Sequence, residues 1–116
     1  MAVKIVNQTK NTVLAERAVL ANTPWSRMRG LLGRASLPLG EGLIICGCKS
    51  IHMFFMRFPI DVIFVDRNKR IIGLVQNIPP FALSPLFWKA ESAIELPPGS
   101  IAKTATSIAD QIAFRS

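Results

Sequence analysis

Residues 48–65 read Cys48-Lys-Ser-Ile-His52-Met-Phe-Phe-Met56-Arg-Phe-Pro-Ile60-Asp-Val-Ile-Phe-Val65, and this stretch decides the fold. Its second part, Ile60–Val65, is apolar on both faces except for Asp61, which is typical of a central strand covered on both sides. Pro59 has no backbone N–H to donate, so we expect it at the start of that strand or at a bulge. The stretch therefore predicts a buried β-strand preceded by an aromatic segment.

Short β-runs separated by turns extend outward from this strand in both directions. The runs are Val3–Val6, Thr12–Ala15, a further apolar stretch at Ala18–Ala21, Leu43–Cys46, Arg70–Gln76, Glu91–Leu96 and Gln111–Phe114. Thr23-Pro24 is a helix start signal, and a helix is expected from there to about Leu32. Pro97-Pro-Gly99 ends a strand and precedes a brief turn or helix. The pattern predicts a mainly β fold, an antiparallel sandwich or barrel of seven or eight short strands with one or two short helices.

The composition is that of a single globular domain spanning residues 1–116. Of the 116 residues, 50% are hydrophobic and 18% charged, a balance that excludes a disordered chain and suits one hydrophobic core. The chain has no run of about 18 uncharged apolar residues, the length that a membrane-spanning helix needs. Its first residues lack the apolar run of a signal peptide. We therefore expect a cytoplasmic protein with no membrane span.

Basic residues outnumber acidic ones, which raises the question of an anionic partner. The chain carries 14 Lys and Arg residues against 7 Asp and Glu residues, a net charge of +7. A nucleic-acid-binding protein concentrates such charge on one face. Here the basic residues are spread along the chain, so we expect the excess mainly to keep the protein in solution. Nucleic-acid binding stays an alternative, and its candidate residues are Arg27, Arg29, Arg34, Lys49 and Arg57.

Four stretches in order along the chain carry a resemblance to a known family. They are Arg27-Met-Arg-Gly-Leu-Leu-Gly-Arg34, Ser50–Asp66, Ile78-Pro-Pro80 and Ile94-Glu-Leu-Pro-Pro-Gly99. In them the sequence resembles the domain-of-unknown-function family 192, small proteins of bacteria and archaea. The resemblance implies a mainly β sandwich or barrel and no established activity. The family often has Gly-Asp before its last strand, whereas this chain has Ala109-Asp110, which disfavours a tight glycine-dependent turn there.

Metal ligands are present in the densest stretch, but their number and spacing are unsuitable. Blue-copper sites have similar Cys, His and Met spacings, yet they need two histidines, and His52 is the only histidine of the chain. A zinc site would have to combine Cys46, Cys48, His52 and Asp61. In an extended strand Cys48 and His52 lie about 13 Å apart. We expect no metal and no cofactor.

Cys48 and His52 also raise the possibility of nucleophilic catalysis. Cys48 would be the thiolate, His52 its base and Asp61 the residue that orients the base. Cys46 and Cys48 are expected as thiols rather than as a disulfide, because residues two apart in a strand are separated by roughly 6.6 Å. No glycine-rich elbow or oxyanion element lies near Cys48. A Cys/His-dependent enzyme of unknown substrate is therefore an alternative, and no catalytic residue is assigned.

A binding pocket accounts for the same residues with fewer geometric demands. Ligand sites combine an apolar wall with a few polar groups, and in a regular strand His52, Phe54 and Met56 face one way. The aromatic loop of Phe81, Phe87 and Trp88 would close over them. The alternative is that these residues are core, that the loop aromatics hold the loop to the barrel, and that Asp61 accepts backbone N–H bonds. We predict a small non-catalytic domain that binds a small-molecule ligand in a pocket of Cys48, His52, Met56, Asp61 and Glu95. The sequence does not specify the oligomeric state of the protein.

Overall fold

Strands form the framework of the described structure. A computed structural model of the chain describes residues 2–21 and 34–116. Those residues form seven strands and one short helix: β1 (Ala2–Asn7), β2 (Thr12–Ala21), β3 (Glu41–Cys46), β4 (Ile60–Val65), β5 (Ile71–Ile78), β6 (Ser92–Leu96), α1 (Ser100–Lys103) and β7 (Ile112–Arg115). The strands are rich in Val and Ile, whose branched side chains favour a pleated backbone. The predicted mainly β fold is confirmed.

All seven strands of the described residues belong to one curled sheet with the shape of a half-barrel. Their order is β5-β4-β6-β3-β2-β1-β7. Neighbouring strands are antiparallel except for β2 and β3, which are parallel. A parallel pair needs a long crossover, and residues 22–40 provide its length. The central position of β6 between β4 and β3 places Glu95 near the middle of the sheet.

Apolar layers cover both faces of the sheet. Every residue of β4 is buried, which explains why its sequence is apolar on both faces. One layer includes Ile5, Ile63, Ile94 and Ile101 of α1. The other layer lies under the loops that flank β4 and contains Ile51, Met53, Met56, Val62 and Phe64. We call this second layer the loop-side layer, because the candidate site lies above it.

The two edge strands approach each other at one end of the sheet. Arg70 and Gln111 form an isolated antiparallel bridge between the start of β5 and the start of β7. The Ile112 N–H donates to the Lys69 carbonyl at 2.9 Å, and the Ile71 N–H donates to the Asp110 carbonyl at 3.0 Å. These bonds satisfy edge groups that would otherwise be open to another strand.

Predicted and observed elements agree best where prolines and glycines punctuate the chain. β4 begins directly after Pro59 and has the predicted bounds. The two apolar runs on either side of Glu16 and Arg17 form a single strand, β2, because the pairing with β1 shifts register there and accommodates extra residues. The helix predicted from Thr23 to about Leu32 lies outside the described residues.

Candidate binding site

Two loop segments lie side by side over the loop-side layer. We call them the ribbon, which consists of residues 49–56 and 81–88. Four backbone hydrogen bonds join the segments: Met53 N to Ala82 O (2.8 Å), Phe81 N to Met53 O (2.6 Å), Ser84 N to Ile51 O (2.9 Å) and Phe87 N to Lys49 O (2.8 Å). The aromatic loop of Phe81, Phe87 and Trp88 is therefore paired with the segment that carries His52.

The inner side of the ribbon anchors it to the sheet. The rings of Phe87 and Phe64 stack with centroids 4.5 Å apart. Gly73 of β5 provides the space for this, because a Cβ at Gly73 would lie 2.4 Å from Cε1 of Phe87. Met53 is fully buried in the same layer. The predicted role of the loop aromatics in holding the loop down thus applies to Phe87.

The outer side of the ribbon is apolar and exposed to solvent. We define the outer face by six large side chains with their exposed fractions: Phe54 (43%), Phe55 (76%), Phe81 (60%), Leu83 (67%), Leu86 (48%) and Trp88 (75%). The rings of Phe55 and Phe81 meet edge to face with centroids 5.9 Å apart. Exposed apolar side chains concentrated in one place mark interaction sites more often than scattered single ones do.

His52 belongs to the outer side, whereas Met56 belongs to the inner side. The exposed imidazole lies 5.2 Å from the Phe54 ring and is paired in register with Leu83. Met56 is buried because the chain turns before it, with its N–H donating to the Met53 carbonyl at 3.2 Å. Phe55 in that turn has a φ of 63°. The predicted common face of His52, Phe54 and Met56 therefore holds only for the first two.

Cys48 directly precedes the ribbon and packs against the loop-side layer. Its Sγ donates to the Ser50 carbonyl at 3.0 Å, and neither it nor Cys46 is in a disulfide. The hydrogen bond holds the thiol against the backbone of its own segment. This arrangement gives no support to the Cys/His-enzyme hypothesis.

Asp61 faces away from the ribbon. Val62 is paired with Glu95, so those two residues share a sheet face, and the preceding residue of the strand faces the other way. The buried Asp61 carboxylate accepts the N–H of Asn77 at 2.8 Å and that of Ile101 at 2.9 Å. It therefore links β4, the end of β5 and α1. The geometry shows Asp61 in the alternative role expected for it, as an acceptor of backbone N–H bonds.

Glu95 lies on the same sheet face as the loop-side layer. It is paired with Leu43 on one side and Val62 on the other, and only 5% of it is exposed. Burial raises the pKa of its carboxyl group from 4.5 to about 7, because desolvation penalises the charged form. Near neutral pH this carboxyl group is present in both protonation states, so it can donate or accept a hydrogen bond.

Three of the basic residues proposed for nucleic-acid binding lie in the described part of the chain. Arg34 pairs with Glu41 at 3.3 Å, and the ammonium group of Lys49 donates to the Ala90 carbonyl at 2.9 Å. Arg57 is exposed. Arg27 and Arg29 lie outside the described residues.

Two negative findings apply to residues 2–21 and 34–116. No three His, Cys, Asp or Glu residues in these ranges come together as a group that could hold a metal ion. None of the helical structure in them is long and apolar enough to cross a bilayer.

Sequence reasoning missed the outward leucines of the ribbon. From Phe81 to Ser84 exposure alternates, with Phe81 and Leu83 exposed and Ala82 and Ser84 half-buried. In the sequence the same positions alternate between large side chains (Phe81, Leu83) and small ones (Ala82, Ser84), and this period of two between Pro80 and Pro85 was the available signal of an extended segment. Gly73 had no such signal, because the ring that it accommodates belongs to a distant segment.

Comparison with known proteins identifies relatives along nearly the whole chain. A UPF0127 protein of Thermococcus sibiricus (strain DSM 12597 / MM 739) is 32% identical over 112 residues, which cover 93% of this chain and 72% of the relative. A UPF0127 protein of Thermococcus gammatolerans (strain DSM 15229 / JCM 11827 / EJ3) is 37% identical over 76 residues, 59% of this chain and 47% of that protein.

A solved structure shares the fold. The crystal structure of a protein of unknown function from Novosphingobium aromaticivorans DSM 12444 has a TM-score of 0.83 at 22% identity, covering 97% of this chain and 84% of that one. The family model DUF192, described as "Uncharacterized ACR", matches residues 5–114. The chain therefore belongs to the DUF192 family.

Proposed function

We propose that this chain is a small non-catalytic binding domain whose ligand contacts lie along the ribbon. The observation that carries the proposal is the division of the ribbon into an anchored inner side and an apolar outer face. Folding alone accounts for the inner side, since Met53 and Phe87 bury apolar surface there. Folding alone accounts less well for the outer face, because 43–76% of each of its side chains stays in contact with water.

A polar group beside the outer face, His52, would orient a bound ligand. The imidazole of His52 is exposed among the outer side chains. The thiol of Cys48 and the carboxyl group of Glu95 lie closer to the sheet, with Met56 on the same side. A largely apolar surface with a few such groups is the usual composition of a ligand site. Of the five residues expected to form a pocket, only His52 is exposed on the outer side; Cys48 is half-buried, Met56 and Glu95 are buried, and Asp61 faces the other way.

The test is binding of an apolar fluorescent dye, 1-anilinonaphthalene-8-sulfonate, to the folded full chain. The ribbon variant carries Phe55→Asn and Phe81→Asn. Both positions have positive φ, 63° and 68°, which asparagine tolerates better than phenylalanine, so the fold should be retained. We expect the ribbon variant to bind the dye about tenfold more weakly than the native chain, because two exposed rings are lost.

A matched control removes exposed apolar surface elsewhere. Val19→Ser with Ile108→Ser changes two side chains that are 52% and 56% exposed and lie outside the ribbon. This control should bind the dye as the native chain does. Equal loss in both variants, or no dye binding by the folded native chain, would show that the ribbon is not a binding surface.

A further inference from the structure

We propose that the outer face of the ribbon docks on an anionic lipid bilayer. This inference rests on the proposed binding function of the ribbon and names its partner. The outer face consists of Phe, Leu and Trp side chains, which are the residues that enter the interface between lipid headgroups and acyl chains. A folded domain that already exposes such side chains to solvent can insert them without unfolding.

The charges around the outer face match an anionic surface. Residues 49–57 and 81–89 contain the basic residues Lys49, Arg57 and Lys89 and not a single Asp or Glu. All three basic residues are exposed. Each basic side chain near an anionic bilayer strengthens binding about fivefold. The net charge of +7 adds attraction over a longer range.

Backbone geometry turns two rings outward at some cost. Phe55 and Phe81 have φ values of 63° and 68°, in the left-handed region that bulky residues rarely adopt. Their rings contact each other at 5.9 Å, yet they are 76% and 60% exposed. Such conformations are concentrated at functional positions. Membrane insertion gives these two rings an environment that the folded chain in water does not.

Two other occupants fit the same face less well. A second copy of the chain would bring another charge of +7 and the same acid-free segments, so the two faces would repel each other. Single-stranded nucleic acid stacks its bases on aromatic rings, but Leu83 and Leu86 have no ring. Exposed leucine side chains strengthen binding when they enter the acyl-chain region of a bilayer, whereas they cannot stack on nucleic-acid bases.

The test is flotation of the full chain with vesicles. One set contains phosphatidylglycerol and phosphatidylcholine in equal amounts, and the other contains phosphatidylcholine alone. We expect the native chain to bind the anionic vesicles about a hundredfold more tightly, from three basic residues at about fivefold each. The Phe55→Asn/Phe81→Asn variant should bind them about tenfold more weakly, while the Val19→Ser/Ile108→Ser control stays within about twofold of the native chain.

A second pair of variants separates the basic residues of the ribbon from net charge. Arg57→Gln/Lys89→Gln and Arg67→Gln/Lys103→Gln both remove two exposed basic residues and leave the same net charge. The first pair should weaken binding to anionic vesicles about tenfold or more, and the second less than about threefold, because only the first lies beside the outer face. Equal effects of the two pairs would contradict docking through the ribbon.

The outcomes distinguish this inference from the proposed function beneath it. Dye binding at the ribbon without vesicle binding would overturn the membrane inference and leave the binding function standing. If vesicles do not bind, the face would be assigned to another occupant by one of two results. Either the native chain self-associates in sedimentation velocity or it binds an oligodeoxythymidine, and the ribbon variant loses that property. Loss of dye and vesicle binding together in the ribbon variant, with both controls unaffected, supports the two proposals.

Discussion

Ala109 has a backbone conformation that is unfavourable for residues other than glycine. Its φ is 74°, in the left-handed region. The turn is held there by two bonds: the Ala109 N–H donates to the Ile71 carbonyl at 2.9 Å, and its own carbonyl accepts from Arg70 at 2.9 Å. Because this chain has alanine where the family often has glycine before Asp110, a tight turn was not expected there. The turn forms nevertheless, since the two hydrogen bonds hold Ala109 in this conformation. Alanine pays about 1–2 kcal/mol for this conformation.

Substituting Ala109→Gly is expected to stabilise the chain. Glycine removes the steric strain but loses more backbone entropy on folding, which leaves a net gain of about 0.5–1 kcal/mol. Urea unfolding followed by circular dichroism measures this change. Ala102→Gly, at an exposed position of α1, is the matched control and should lower the free energy of unfolding by about 0.5–1 kcal/mol. A loss of stability in Ala109→Gly would contradict the strain argument.

The ribbon and β5 fit together through one aromatic ring. Phe87 stacks on Phe64 at 4.5 Å and occupies the space that the missing side chain of Gly73 leaves. A methyl group at Gly73 would overlap this ring at 2.4 Å, so the ring has to move. Since Phe87 belongs to the ribbon, its displacement should loosen the ribbon rather than the sheet.

Gly73→Ala and Phe87→Ala are therefore expected to be coupled. Overpacking by Gly73→Ala should cost about 1–3 kcal/mol, and loss of the half-buried ring about 2 kcal/mol. The double variant should cost at least about 1 kcal/mol less than the sum, because the new methyl group occupies the vacated space. Urea unfolding of the four proteins measures the coupling. As a control, the stability losses of Gly73→Ala and Phe81→Ala should simply add, because Phe81 lies on the outer face. If the losses of Gly73→Ala and Phe87→Ala also simply added, the ring of Phe87 would not occupy the space beside Gly73.

Elements fixed by neighbouring residues were predictable, and those fixed by distant ones were not. The bounds of β4 follow from Pro59 on one side and from the Asp66 turn on the other, where Asp66 accepts the N–H of Asn68 and of Arg70. The ribbon instead depends on pairing across about 30 residues, which no local pattern specifies. The face of Glu95 was readable from alternation in β6, but the layer that covers that face depends on the ribbon.

A polar network joins residues from the two ends of the chain. The buried Asp110 carboxylate accepts from Asn7 at 2.9 Å, from Lys10 at 2.9 Å and from the Ser107 N–H at 2.9 Å. Burial alone would raise the pKa of Asp110, but these hydrogen bonds and the charge of Lys10 together lower it below 3.8. The network links the turn before β7 to the end of β1 and the turn that follows it.

Asp110 and Glu95 should give the whole molecule an acid-shifted optimum of stability. Glu95 has its pKa raised from 4.5 to about 7, so the folded state binds more protons and stability declines as the pH rises through that range. Asp110 has its pKa lowered below 3.8, so the unfolded state takes up protons first and stability declines as the pH falls below that value. Together they place the greatest stability at about pH 4–5, below the range common for globular proteins.

Glu95→Gln is expected to remove the decline on the neutral side of this optimum. A carboxyl pKa raised from 4.5 to about 7 corresponds to about 3 kcal/mol. The variant should therefore match the native chain at pH 4.5 and exceed its free energy of unfolding by about that amount at pH 8, because glutamine buries no charge. Urea unfolding at pH 3, 4.5, 6 and 8 measures both limbs. Glu91→Gln, at an exposed position one residue before β6, should keep the native pH dependence. If Glu95→Gln kept it too, the decline would have another source and Glu95 would be charged and stabilised in the fold.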